Sequence, residues 1–396
     1  MNKLTFFTIT SLLFSAHFLF AQDSKISGRI LTGMAFEPLP YVEISIKGKN
    51  IGTITNREGN FVLTGDLSPS DSIIVTHLAF ETKTIGFSDL TNEGNTIVLT
   101  PRSILFEEVT IQGQNVVSLI REALLISRNS IILPLRLETY YREFVKENQR
   151  YTKFSDGILD YDMLGRTDKL KTRVCVKQSR ANAIKTESDK EIDWDLNSPL
   201  DIQKALDPFL LGRLNNVIEN ADKYDFQMKT LNEKNSNGQI EIRFNPKSDT
   251  KELLYEGKVL IDKLSKYILS FNYRLEKNES KPFKEINLII VKARITQFSS
   301  MVMFRLKNQN YQPWYTNTQV GMKIWNKKKI NETFSFLSDL LVFEVVNTPF
   351  EEISGKDVFK KKALYSLGDN FQLEFWKDQN SMLLTSEEEN IIKQLQ

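Results

Sequence analysis

Between residues 137 and 344 the chain keeps returning to one pattern, a stretch of alternating apolar and polar side chains closed by Gly, Asn, Asp or Lys. Period-two alternation places every second side chain on one face of an extended strand, so a chain dominated by it can bury its apolar half only by pairing strands into a sheet. Residues 137–145, 154–163, 173–178, 226–232, 239–244, 254–262, 267–275, 286–295, 301–307, 316–325 and 330–344 all read as strands. Helical spacing is rare. Val116, Leu119, Ile120, Ala123, Leu124 and Ser127 predict a helix over 116–128 that opens this region. Two short helices are expected at 198–206, with Ser198 as N-cap and Pro199 behind it, and at 208–218. Ser386 followed by Glu389 predicts a capping box at the start of a C-terminal helix. The expectation for residues 115–396 is a large antiparallel sheet or half-barrel with a few helices.

The first hundred residues read differently. Met1-Asn2-Lys3 precedes an uncharged, largely apolar stretch from Leu4 to Phe20 and then Ala21, the layout of a secretory signal peptide cleaved after residue 21. The stretch falls short of the ~20 apolar residues a bilayer-spanning helix needs, and no later segment meets that length. The expectation is an exported chain with no transmembrane helix, in the periplasm, associated with the outer membrane or on the cell surface. Loss of Lys3 with the signal would leave 51 of the 52 basic side chains against 50 acidic ones. That balance argues against nucleic acid as a partner. Cys175 is the single cysteine, so no intrachain disulfide can form, and its apolar neighbours Val174 and Val176 suit a small buried side chain better than a reactive thiol.

Residues 22–100 read as short strands at close spacing. Val42, Ile44 and Ile46 share one face, 51–55 forms the partner strand, Asn56-Arg57-Glu58-Gly59-Asn60 forms a turn, and 61–64, 72–76 and 95–99 complete the set. A small β-sandwich is the expected fold. The segments Ile26-Ser27-Gly28-Arg29-Ile30, Glu37-Pro38-Leu39-Pro40-Tyr41-Val42-Glu43-Ile44 and Gly52-Thr53-Ile54-Thr55-Asn56-Arg57-Glu58-Gly59-Asn60-Phe61 resemble, in that order, the carboxypeptidase regulatory-like domain. Tyr41 stands where that family has a small residue, and Asn56 where it has Asp. The resemblance implies a transthyretin-like, Ig-like sandwich, an accessory module of certain carboxypeptidases without catalytic residues of its own. Phe106-Glu107-Glu108-Val109-Thr110-Ile111, in a linker over 101–114, is similar to the segment following this domain in TonB-dependent receptors of the Bacteroidetes group. A receptor barrel does not fit the 282 residues after Gln114.

No cofactor, metal or catalytic residue is expected. A zinc carboxypeptidase site takes two His and a Glu, and only His77 remains once residues 1–21 are removed. G-x-S-x-G, G-x-x-x-x-G-K and G-x-G-x-x-G are all missing from the sequence. Asp156, Asp160 and Asp162, or Asp193 and Asp195, could supply a glycosidase carboxylate pair, with ordinary surface acids as the simpler reading. Tyr311, Trp314 and Tyr315 cluster in an expected loop and are the candidate ligand contacts, for a glycan or a partner protein. The segment Gly257 to Phe271 weakly resembles the hairpins of lipoprotein-localisation half-barrel carriers, which implies a pocket for acyl chains, against the alternative that the same residues pack on helix 116–128. The leading reading is therefore an exported, non-catalytic envelope protein with a binding or structural role. A lipid or lipoprotein carrier comes second, and a glycan or peptide hydrolase third.

Overall fold

The computed structural model describes residues 24–367 and 381–395, except 34, 50, 78–79, 102–104, 108–113, 167–168, 233–237, 278–282, 284, 289–290, 308–309, 328–329 and 348. The expected signal peptide, most of the linker and Trp376 lie outside the described residues. The chain divides into two compact units near residue 100.

Among the described residues the first unit holds seven strands: β1 (Ser24–Thr32), β2 (Glu43–Ile46), β3 (Gly52–Ile54), β4 (Asn60–Gly65), β5 (Ser72–His77), β6 (Phe80–Gly86) and β7 (Asn95–Leu99). They form two sheets, β4-β1-β7 and β3-β2-β5-β6, with β1 antiparallel to β4 and parallel to β7. The alternation in each strand buries Ile26, Ile30, Val42, Ile44, Ile54, Phe61, Leu63, Ile73, Val75 and Ile97. The sequence pattern passes over β6, because an edge strand with four exposed positions, Glu81, Thr82, Lys83 and Thr84, carries almost no apolar alternation. At the 56–60 turn, the buried Asn56 Oδ1 accepts the backbone N–H groups of Glu58 and Asn60, each at 2.9 Å, so the amide does what an Asp carboxylate would. Gly59 has φ +75°, and a Cβ there would lie 2.5 Å from the Ile30 carbonyl oxygen, so only glycine fits. Tyr41 takes φ +59°, with its hydroxyl accepting from Arg57 Nε at 3.3 Å.

The second unit is one antiparallel sheet of twelve strands. These are β8 (Leu105–Glu107), β9 (Leu135–Glu147), β10 (Arg150–Arg166), β11 (Lys169–Ala183), β12 (Tyr224–Asn232), β13 (Gln239–Pro246), β14 (Tyr255–Asp262), β15 (Ile268–Leu275), β16 (Glu285–Leu288), β17 (Val291–Lys307), β18 (Asn310–Trp325) and β19 (Asn331–Asn347). Their order is β11-β10-β9-β19-β18-β17-β15-β14-β13-β12-β8, with β16 pairing β17, and the sheet stays open. The helices are α1 (Gln114–Asn129), α2 (Trp194–Asn197), α3 (Gly212–Glu219) and α4 (Ser386–Leu395).

One face of this sheet, here the inner face, carries the main core. Val116, Ile120, Ala123 and Leu124 of α1 pack with Val259, Ile261, Ile268 and Phe271 of the β14–β15 hairpin. Ser127 Oγ receives the Ile268 N–H at 2.9 Å and fixes the helix on the strand. The apolar residues of that hairpin are thus taken up by α1. Its turn is closed by Asp262 Oδ1, which accepts from both the N–H and the hydroxyl of Ser265 at 2.7 Å.

Several local expectations shift. The segment read as strands 286–295 and 301–307 is instead β16 and a continuous β17, because the Thr296–Ser300 stretch, polar apart from Phe298 and with a bulge between Ile295 and Gln297, stays paired to β18. The helix expected at 198–206 does not form. Ser198 Oγ accepts the Leu200 N–H at 3.3 Å in a tight turn, and Asp201 instead caps a 3-10 turn at Ile202–Lys204. The helix expected at 208–218 is broken at Leu211, which takes φ +54° between a 3-10 turn (Asp207–Leu210) and α3. The capping box of α4 lies one residue earlier than expected. Thr385 Oγ1 accepts the Glu388 N–H at 3.2 Å and Glu388 Oε2 accepts the Thr385 N–H at 2.8 Å.

Candidate binding cleft

The aromatic cluster expected in a loop lies inside β18, with Tyr311, Trp314 and Tyr315 all buried. Tyr311 and Tyr315 are four residues apart and would share a face in a regular strand. The register shifts so that Tyr315 pairs Met303 while Pro313 pairs Phe304, leaving Trp314 as an extra residue that turns the two tyrosines to opposite faces. Tyr311 stacks on Tyr267 (4.6 Å) and Phe304 (4.9 Å) and donates to the Ile268 carbonyl at 2.7 Å. Tyr315 donates to Asp339 on the outer face. These rings are core, and an exposed stacking platform at this place is corrected by their burial.

The carboxylates on β10 are likewise bound up. Asp156, Asp160 and Asp162 alternate onto the outer face, where Asp156 meets Arg180 at 2.6 Å, Asp160 meets Lys177 at 2.9 Å and Asp162 meets Arg136 at 2.7 Å. Asp156 also accepts from Tyr140 at 2.8 Å, and Asp162 from the Ile353 N–H at 2.6 Å. Each acid has its own cation, an arrangement that fixes strands rather than one that activates water. Beside them Arg142, fully buried, is held by Asp339 at 2.7 Å and by Glu388 of α4 at 3.1 Å. Cys175 is half-buried and burial pushes its thiol up, which keeps it protonated. Among the described residues no group of three His, Cys, Asp or Glu side chains is placed to hold a metal ion.

The feature the strand patterns do not reveal is on the inner face. Register pairs Tyr273 of β15 with Ser300 of β17, Ser300 with Thr318 of β18, Thr318 with Ser338 of β19, Ser338 with Glu143 of β9, and Glu143 with Ser155 of β10. Six polar side chains from six strands thus lie side by side in one row across the sheet. The rows on either side are largely apolar: Val302, Leu340 and Phe271 flank it on one side, and Phe298, Val320, Phe336 and Val145 on the other. Ser300 and Thr318 hydroxyls are 3.3 Å apart, and Ser155 Oγ donates to Glu143 Oε1 at 2.8 Å.

Glu143 is buried, and among the described residues no basic side chain bonds its carboxyl. Its carboxyl accepts from Ser155, from the Tyr365 N–H at 3.1 Å and from the Tyr141 hydroxyl at 3.1 Å. Desolvation outweighs these donors and raises its pKa. Burial and the neighbouring Glu143 push the Tyr141 hydroxyl well above the ordinary tyrosine value.

Over this row lies the insertion between β11 and β12. Its apolar side chains Ile202, Leu206, Phe209, Leu214 and Val217 are fully buried. Each such burial is worth about 1.5–3 kcal/mol, enough to hold the insertion on the sheet. Phe209 packs edge-on to Phe304 at 5.7 Å, Tyr161 donates to the Ile202 carbonyl at 3.0 Å, and Arg128 of α1 donates to the Leu210 carbonyl at 2.8 Å. Between the anchored insertion and the sheet a cleft of about 760 Å³ remains. Tyr141, Tyr273, Phe298, Thr316, Thr318 and Ser338 form its floor, and Asp201, Lys204, Asp207, Arg213 and Asn216 line the opposite wall. Arg213 lies 5.3 Å above the Tyr255 ring, and Tyr255 meets Tyr273 and Phe298 edge-on at 5.5 and 5.8 Å. Thr316 Oγ1 is buried with no hydrogen-bond partner among the described residues. At the lip Asp207 is exposed, yet partial desolvation raises its pKa, with Asp201 adding to the effect and Lys204 and Arg213 opposing it.

This architecture defines a two-unit, mainly β protein: a small sandwich, then an open antiparallel sheet that carries a mixed-polarity cleft. Residues 26–111 match the family model of the CarboxypepD_reg-like domain, so the first unit carries that non-catalytic accessory fold. Comparison with curated proteins gave no match. Among solved structures, one described as lipid-protein interactions in lipovitellin is similar at 10% identity and a TM-score of 0.24. The similarity covers 64% of this chain and 29% of that one, too weak a superposition to define a shared fold. Among the described residues, no helix is long and apolar enough to cross a membrane.

Proposed function

We propose that the chain is an exported, non-catalytic binding protein of the cell envelope, and that its ligand occupies the cleft between the large sheet and the insertion over it. The observation that carries this reading is the polar row of Tyr273, Ser300, Thr318, Ser338, Glu143 and Ser155, laid across a largely apolar face, three of whose members, Tyr273, Thr318 and Ser338, line the cleft. A row of hydroxyls adds nothing to a core that Leu or Val would fill better, and burying unmatched polar groups costs stability. A cleft of ligand size with a few converging polar groups is the usual form of a binding site. The CarboxypepD_reg-like domain supports an accessory role rather than catalysis. The N-terminal sequence supports export.

Native mass spectrometry of the mature chain, purified from its own source before and after organic or acid extraction, tests the reading. A small co-purifying mass is expected, absent in Asn216→Trp, which places a large ring in the cleft from the exposed side of α3. Bare protein in both forms, with no added compound raising its melting temperature, would overturn it. Fractionation tests the location, the expected result being mature chain in the envelope fraction.

A further inference from the structure

Taking the cleft as the binding site, we infer that its ligand is an uncharged, polyhydroxylated molecule, of the class of a short neutral oligosaccharide. The floor offers four hydroxyls, those of Tyr273, Thr318 and Ser338 from the polar row and that of Tyr141 from the row beside it, where it already donates to Glu143, and a hydroxyl both donates and accepts. A ligand whose groups are themselves hydroxyls can pair with such a row at several neighbouring positions. A carboxylate or phosphate only accepts hydrogen bonds, and an acyl chain would bury the row against methylenes.

The rings point the same way. Tyr273 and Phe298 lie 5.8 Å apart at one end of the floor, backed by Tyr255, and give flat apolar surface on which the C–H face of a sugar ring can lie. Charge on the wall leaves little for an anion. Lys169, Lys204 and Arg213 face Asp201 and Asp207 across the same space, Lys204 sits 3.9 Å from Asp201, and Arg213 is drawn over Tyr255. Both signs are present, with Asn216 between them, so side chains at the wall can bond a neutral polar ligand as donor or acceptor. The volume of about 760 Å³ lies within the range of small-molecule sites, about 300–1,000 Å³.

The test is isothermal titration of the full mature chain with neutral di- and trisaccharides of glucose, galactose, mannose and N-acetylglucosamine, with oleate and inorganic phosphate as the competing chemistries. Wild type is compared with Thr318→Val, which keeps side-chain shape at a half-buried strand position, and with Asn216→Trp, which blocks the cleft. Circular dichroism and melting temperature confirm that each variant folds. At least one saccharide is expected to bind the wild type, roughly fivefold more weakly to Thr318→Val for one lost hydrogen bond, and not to Asn216→Trp. A saccharide bound equally by all three proteins would overturn the inference, since it would bind elsewhere. Oleate or phosphate bound by wild type and blocked by Asn216→Trp, with no saccharide bound, would overturn the ligand class while leaving the cleft as the site. Failure of every probe, together with a chain that carries no extractable molecule, would overturn both.

Discussion

Arg142 and Glu143 are neighbours on β9, both buried, and they point to opposite faces of the same sheet. On the outer face Arg142 is matched by Asp339 and Glu388, and the acids of β10 each meet a cation. On the inner face Glu143 meets hydroxyls and backbone N–H groups. The difference separates two uses of a buried charge. A paired one ties strands and α4 together, while one held by hydroxyls and backbone N–H groups has its pKa raised by desolvation.

The largest effect should come from breaking the pairing. Arg142→Ala leaves Asp339 and Glu388 buried without their cation, and a loss of about 3–5 kcal/mol is expected in urea denaturation. Glu143→Ala should cost less, about 1–3 kcal/mol, because it strands hydroxyl and N–H donors but no opposite charge. If the two losses come out equal, the distinction between the faces fails.

A pH series sharpens it further. Glu143 has a raised folded-state pKa, so the native state holds its proton more tightly than the unfolded chain does. The stability this contributes is fully present below about pH 4.3, the ordinary glutamate value, and is lost as pH rises toward and through the folded value. The melting temperature of wild type relative to Glu143→Gln should therefore fall across that window and then level off. A flat difference would mean that the carboxyl has the same pKa folded and unfolded, so that burial does not shift it. The smallest effect is expected at Thr316→Val, which removes a hydroxyl with no partner and should leave stability unchanged or raise it by about 1 kcal/mol. A loss beyond about 1 kcal/mol would show that this hydroxyl is satisfied in the folded protein.

The two units also differ in how much of them the sequence reveals. In the sandwich, local chemistry decides: Asn56 and Gly59 set a turn, and Val42, Ile44 and Ile46 show their buried face by alternation alone. In the large sheet most individual strands are equally legible, but not their order, because β9 pairs β19 some two hundred residues away and no local signal encodes that. The bulge at Trp314 is invisible for the same reason, and with it the burial of Tyr311 and Tyr315. The helix expected at 198–206 fails because Ser198 and Asp201 bond their own neighbours more favourably than they cap a helix. No motif search could find the cleft floor. Tyr273, Thr318 and Ser338 are unremarkable inward positions until register lines them up.

That dependence on register sets how such a floor can change over generations. Because each strand contributes one side chain to the row, point substitutions can exchange hydroxyl for methyl at one position and leave the others in place, so specificity can drift in small independent steps. An insertion or deletion of one residue within β18 or β19 has a different reach, since it turns that strand's remaining inward side chains outward and cuts the row in two. Relatives of this chain that keep the cleft should therefore vary freely in side chain along these strands and hardly at all in strand length.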